Sequence, residues 1–146
     1  MFFTKSFRYA LRTTLYLAVI TDSKPLIRLE EIAARLDIPR HFLGKILKKL
    51  AKEGILVSAK GPSGGFGITD KTLGTPLIKL MEMMGQSENA EACALLQQPC
   101  NPEKPCALHC HVESLRNKWN SMLAETTIGS LLTHPEKVEL PVANVF

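Results

Sequence analysis

With 146 residues, 45% of them apolar, the chain has the size and composition of one globular domain, which excludes wholesale disorder. Its net charge of +4 hides an imbalance: residues 1–86 carry fourteen Lys and Arg against seven Asp and Glu, a net of +7, while residues 87–146 come to −3. A cationic front half suits a polyanionic partner, and the back half calls for another role.

The chain opens on a predicted helix at 5–21, with Phe7, Leu11, Leu15, Ala18 and Val19 at helical spacing. Lys5, Arg8 and Arg12 before six apolar residues vaguely resemble a secretory signal. The run is too short for one, no small-x-small site follows, and nothing reaches membrane-span length. A cytoplasmic protein with no membrane partner is expected. After the break at Ser23-Lys24-Pro25, a short helix fits Glu30–Leu36 and buries Ile32, Ala33 and Leu36. Asp37-Ile38-Pro39 is a turn. Pro39 suits the first position of a third helix, which runs to about Glu53 and stops at Gly54. Its apolar stripe is Phe42, Leu43, Ile46, Leu47 and Leu50, and its other faces carry Arg40, His41, Lys45, Lys48, Lys49 and Lys52.

Strands fit Ile55–Ala59 and Phe66–Thr69, joined by a turn-rich tip from Lys60 to Gly65. A fourth helix covers Pro76–Met84. The polar stretch Gln86–Ala92 reads as loose, and Gln97–Pro105, with three prolines, as irregular. A long helix runs from Pro105 to about Glu125, and Thr126 or Thr127 caps a last short helix through Leu132. The tail after Pro135 has no periodicity.

Helix, turn, basic helix and hairpin follow the order of a winged helix-turn-helix. The expected fold class is mostly α with a small β-hairpin wing and a long C-terminal dimerisation helix. The expected regions are a DNA-binding region at 1–86, a cysteine-bearing loop at 87–105, dimerisation helices at 106–133 and a tail at 134–146, in one integrated domain. The basic helix can enter the major groove. The tip residues Lys60, Gly61, Ser63, Gly64 and Gly65 let a thin hairpin approach the DNA backbone or minor groove. Val112, Leu115, Trp119, Met122 and Leu123 on the long helix are too apolar to stand alone, and a twin copy is the expected partner, on pseudo-palindromic double-stranded DNA.

Every cysteine falls in one window, Cys93-x6-Cys100-x5-Cys106-x2-His109-Cys110. In a reducing compartment such a cluster points to a metal or redox site rather than to structural disulfides. Cys106 with His109 (i, i+3) and with Cys110 (i, i+4) would share a helix face, in a first turn where free N–H groups favour thiolates. An iron–sulfur cluster, a zinc site, a thiol switch and a vestigial site all fit this donor set. No catalytic triad, phosphate-cradling loop or paired-carboxylate motif is present, so no enzyme is expected.

The opening Thr4-x-x-Phe7-Arg8-Tyr9-Ala10-Leu11-Arg12, then Ile32-Ala33, Phe42-Leu43 through Leu50, Gly54-Ile55-Leu56-Val57, the wing Lys60-Gly61-Pro62-Ser63-Gly64-Gly65-Phe66 and Glu125-Thr126-Thr127-Ile128 carry a resemblance. Together they resemble the IscR/NsrR type of winged-helix transcriptional regulator over nearly the whole chain. The resemblance implies a DNA-binding regulator, expected to act as a repressor, whose occupancy follows an iron–sulfur cluster answering to iron, redox or nitric oxide. It implies ligation by Cys93, Cys100 and Cys106, with [2Fe–2S] ahead of [4Fe–4S] and with cluster loss in air. For the fourth ligand the resemblance favours His109 and ligand softness favours Cys110. An acidic ligand found in some members falls at Arg8, which cannot serve. Lys60 replaces the usual wing arginine and loses its planar fork. Gly44 lies where some members carry a base-reading glutamate, and Asp70 stands in place of a basic residue. The competing readings are a zinc-bound or thiol-switch regulator and, in a different class, a small metal or electron-transfer protein without DNA binding.

Overall fold

The computed structural model describes residues 3–86, 92–93, 95–96 and 98–133. The expected tail at 134–146, and residues 87–91 of the stretch read as loose, lie outside the described residues. Helix α1 (Lys5–Ile20) starts at Thr4, whose hydroxyl accepts the Phe7 N–H at 3.2 Å. Its buried face includes Phe7, Ala10, Thr14 and Leu17. Val19 is 43% exposed, against expectation. The face turns through Thr13 and Thr14, whose hydroxyls donate to the Tyr9 and Leu11 carbonyls at 2.8 and 3.0 Å. Those bonds let two polar residues take core positions, and Val19 falls off the stripe.

Helix α2 (Leu29–Leu36) ends at Asp37, which adopts left-handed backbone at φ 52. The Arg12 guanidinium donates to the Leu36 carbonyl at 2.8 Å, so a cation from α1 closes the negative end of α2. Helix α3 (Arg40–Lys52) buries Leu43, Ile46, Leu47 and Leu50. Pro39 is its N-cap, one position earlier than expected, and Pro76 likewise precedes α5 (Leu77–Met83). At the end of α3, Gly54 N–H bonds the Ala51 carbonyl and Ile55 N–H the Leu50 carbonyl. This pair of bonds, with Gly54 at φ 72, is the Schellman arrangement that turns the chain into the hairpin.

Strands β1 (Leu56–Ala59) and β2 (Gly65–Ile68) pair antiparallel, with Leu56 opposite Ile68 and Ala59 opposite Gly65. The segment before α2 joins them: Ile27 exchanges backbone hydrogen bonds with Phe66 at 2.9 and 2.8 Å. A one-turn helix, α4 (Asp70–Leu73), follows; four residues carry no period, and its sequence signal is the Thr69–Thr72 capping box. The Thr72 hydroxyl also donates to the Ile55 carbonyl. Gln86, read as part of a loose stretch, is buried and accepts the Thr4 N–H at 3.0 Å.

Helix α6 (His109–Glu125) and α7 (Ile128–Leu132) return to the same core. Leu123 and Ile128 are fully buried beside Leu80, and Leu77 N–H bonds the Thr126 carbonyl at 2.9 Å. Each such side chain contributes about 1.5–3 kcal/mol of burial, which fastens this end of α6 to the winged module.

Candidate DNA interface and thiol site

On α3, Arg40, His41, Lys45, Lys48, Lys49 and Lys52 are all exposed while the apolar stripe holds the helix to α1 and α2. Tyr9 anchors one edge through an edge-on contact with Phe42 at 5.6 Å. Lys45 and Lys49, one turn apart, border a shallow cavity of about 200 Å³ over Phe42, Ile46 and Met84. Arg40 pairs with Glu30 at 2.6 Å. The Glu30 carboxyl titrates below its ordinary range, first because a backbone N–H bonds it and then because Arg40 does. With both side chains mostly in solvent, this pair contributes little to stability.

The wing presents Lys60, Gly61 and Ser63 to solvent, but Gly64 is buried and Gly65 half-buried. A Cβ at Gly65 would collide with the Ile27 backbone, one at Gly67 with the Pro25 carbonyl, and one at Gly64 with the Ala59 carbonyl. These glycines, two of them read as DNA-approaching, serve close approach of backbone within the chain. A Cβ at Gly61 would meet nothing within 4 Å, so this is the open turn residue. The Arg28 guanidinium donates to the Pro62 carbonyl and ties the wing tip to the start of α2. Sequence reasoning missed Arg28; its signal was an arginine where a capping residue belongs.

The thiol segment folds on itself. Cys93 N–H bonds the Gln98 carbonyl at 2.6 Å, and Ala92 bridges Pro99. All four cysteines are free thiols: Cys93 buried, Cys100 and Cys106 half-buried, Cys110 exposed. They form pairs. Cys106 hydrogen-bonds Cys93. Cys100 Sγ lies 3.3 Å from His109 Nδ1, and His109 Nε2 lies 3.6 Å from Glu113. Among the described residues no group of three or more His, Cys, Asp or Glu converges as a metal site. The Cys93 thiol is pulled below its ordinary pKa, first by the Leu95 N–H, then by the Leu96 N–H, with smaller help from Cys106 and Arg116 against the effect of burial. Arg116 also donates to the Ala92 carbonyl at 3.1 Å. Reading α6 two turns on from His109 would have found it.

The expected helical face of Cys106, His109 and Cys110 is not formed. Helix α6 begins at His109, and Cys106 lies before it in a turn closed by its carbonyl and the His109 N–H at 3.0 Å. Pro105, with no N–H to give, precedes that turn rather than starting the helix. The donor set nevertheless suits a thiolate-bound metal centre: soft sulfurs and an imidazole, with amides and a cation facing Cys93.

On α6, Trp119 packs on Phe3 at 5.1 Å and is half-buried, while Leu123 is fully buried within its own chain. Val112 is half-buried. Leu108, Leu115 and Met122, each seven residues apart, stay 41%, 62% and 39% exposed.

An exposed cationic helix behind a helix-turn, beside a hairpin pinned across its base, defines a winged helix-turn-helix DNA-binding protein. The Rrf2 family profile, described as an iron-dependent transcriptional regulator, matches residues 3–134, and the chain belongs to that family of transcriptional regulators. It is 34% identical over 145 residues to a protein of Aquifex aeolicus named as a candidate HTH-type transcriptional regulator, covering 98% of this chain and 99% of that one. It is 26% identical to the HTH-type transcriptional regulator IscR of Vibrio atlanticus, over 94% of this chain and 78% of the relative. Its fold matches CymR, the global cysteine regulator of B. subtilis, with TM-score 0.71 at 19% identity, covering 90% and 95% of the two chains. The relatives are regulators and not enzymes. No helix among the described residues is long and apolar enough to cross a membrane.

Proposed function

We propose that the protein is a homodimeric repressor that binds pseudo-palindromic DNA in the cytoplasm through α3 and the wing, with occupancy set by an iron–sulfur cluster. Cys93, Cys100 and Cys106 would hold the cluster, with His109 as the fourth ligand. The observation that carries this reading is the 3.3 Å approach of Cys100 Sγ to His109 Nδ1, which favours His109 over the exposed Cys110. When bound, such a cluster supplies a centre whose integrity follows iron supply, oxidants or nitric oxide. The chain's own part is to offer thiolates, to meet their charge with the Leu95 and Leu96 amides and Arg116, and to present lysines to phosphate. The cluster acts on DNA binding only through a difference in affinity between two arrangements of the dimer. Leu108, Leu115 and Met122, at heptad spacing and exposed, support pairing of α6 with a second copy.

Anaerobic purification with iron, acid-labile sulfide and zinc measured per chain tests the reading. Matching iron and sulfide, lost in Cys106→Ala and His109→Ala and kept in Cys110→Ala, is the expected result. Stoichiometric zinc without sulfide would overturn the cluster. A second reading has its own observation, the Cys93–Cys106 hydrogen bond. Two thiols giving two electrons and two protons to hydrogen peroxide would become a disulfide, with two waters released. Metal-free protein that forms this disulfide reversibly, and changes DNA affinity as it does, would favour that switch.

A further inference from the structure

Arg28 is the residue that the fold does not account for. It is the N-cap of α2, with extended backbone at φ −70 and ψ 146, and it makes no capping bond. Ser, Thr, Asp or Asn at that position would accept a free N–H of the first turn; arginine has no acceptor, and its charge opposes the positive end of the helix. Its side chain instead crosses to the wing and donates to the Pro62 carbonyl. A neutral carbonyl fixes the guanidinium without cancelling its charge, and one bond uses one of five N–H donors. The group stays exposed.

Around it lies a cleft of about 370 Å³ lined by Lys24, Pro25, Leu26, Arg28, Pro62, Ser63 and Gly64. Its lining holds two cations and a hydroxyl, and no carboxylate. Of the nearby acids, Glu31 pairs with the lining cation Lys24 at 2.5 Å, and Glu30 pairs with Arg40 at 2.6 Å while Arg28 acts on it more weakly, so Arg28 is the lining cation whose hydrogen bond goes to a carbonyl. Lys60, another cation of the wing, is a point charge, whereas the planar fork of Arg28 matches two phosphate oxygens at once.

We propose that this cleft between the 24–28 segment and the wing tip seats a backbone phosphate of DNA, with Arg28 as its principal cation. The proposal rests on the DNA-binding reading of α3 and the wing. Its test is fluorescence anisotropy of the full-length protein on a mixed-sequence 30-base-pair duplex, between about 50 and 200 mM KCl. Arg28→Ala is expected to weaken binding about fivefold and to flatten the log–log salt dependence by about one unit per protomer, and Arg28→Lys to restore the slope without the full affinity. Adding Lys60→Ala to Arg28→Ala separates direct contact from wing positioning: further loss equal to that of Lys60→Ala alone is expected. Equal binding by Arg28→Ala and the double variant would mean that Arg28 only docks the wing, and would overturn the proposal. So would unchanged affinity and slope in Arg28→Ala while Lys48→Ala/Lys49→Ala binds weakly, an outcome that keeps α3 as the recognition helix. Salt-independent or absent binding by the unaltered protein would sink the DNA reading itself.

Discussion

The wing and the thiol segment both leave the helical core, and they are held in opposite ways. The wing is fixed by backbone against backbone: Ile27 bonds Phe66 twice, and Gly64, Gly65 and Gly67 leave no space for a Cβ. The thiol segment adds side-chain contacts to its own backbone bonds, through Arg116 on Ala92, Cys106 on Cys93 and Cys100 on His109. Backbone contacts do not change with metal supply or oxidant, while contacts among thiols change with both. On the proposed reading, the element offered to DNA stays constant, and the thiol segment is the one whose contacts answer to chemistry.

The largest effects should break the wing's half of that contrast. Gly65→Ala or Gly67→Ala forces backbone apart and should cost about 2–4 kcal/mol in urea melts, with loss of DNA affinity. Gly61→Ala, at φ 100 but in open space, should cost about 1 kcal/mol. Leu123→Ala should cost an amount comparable to Gly65→Ala, about 2–4 kcal/mol, and Leu115→Ala no more than about 0.5 kcal/mol of fold stability. Sedimentation should show the second variant, not a stability measurement, as the one that weakens the dimer. On the thiol side, Arg116→Ala should lower metal affinity about 10–100-fold in a chelator competition while leaving the melt nearly unchanged. The smallest effect belongs to Glu30→Gln. The folded Glu30 carboxyl titrates below its ordinary value of 4.5, so its contribution is fully present above that pH and is lost as pH falls through the lower folded value. Melts of the two proteins should differ slightly at neutral pH and coincide in strong acid.

The elements with a period were legible: α1, α2 and α3 fall within a residue or two of expectation, because apolar spacing and caps such as Gly54 state the same boundary twice. Helix α4 was not, since one turn has no period and its capping Thr69 reads as a strand end. The start of α6 was missed because Pro105 suits a first helical position and also a turn, and only the packing of the thiol segment decides between them. The candidate donors were legible by residue type, but their pairing was not, since Cys93–Cys106 and Cys100–His109 depend on a loop fold that no spacing encodes. Trp119 and Leu123 were apolar at helical spacing, which says that a side chain is covered and not by which chain.

Residues 21–25, between α1 and α2, look like a surface connection of the kind that tolerates insertion. Yet Pro25 and Ile27 are the bed on which the hairpin lies. A residue added or deleted just before them would leave both flanking helices intact and still shift the hairpin relative to α3. The length of that connection is therefore matched to a hairpin some forty positions downstream, and a chimera of two such regulators should exchange both or neither.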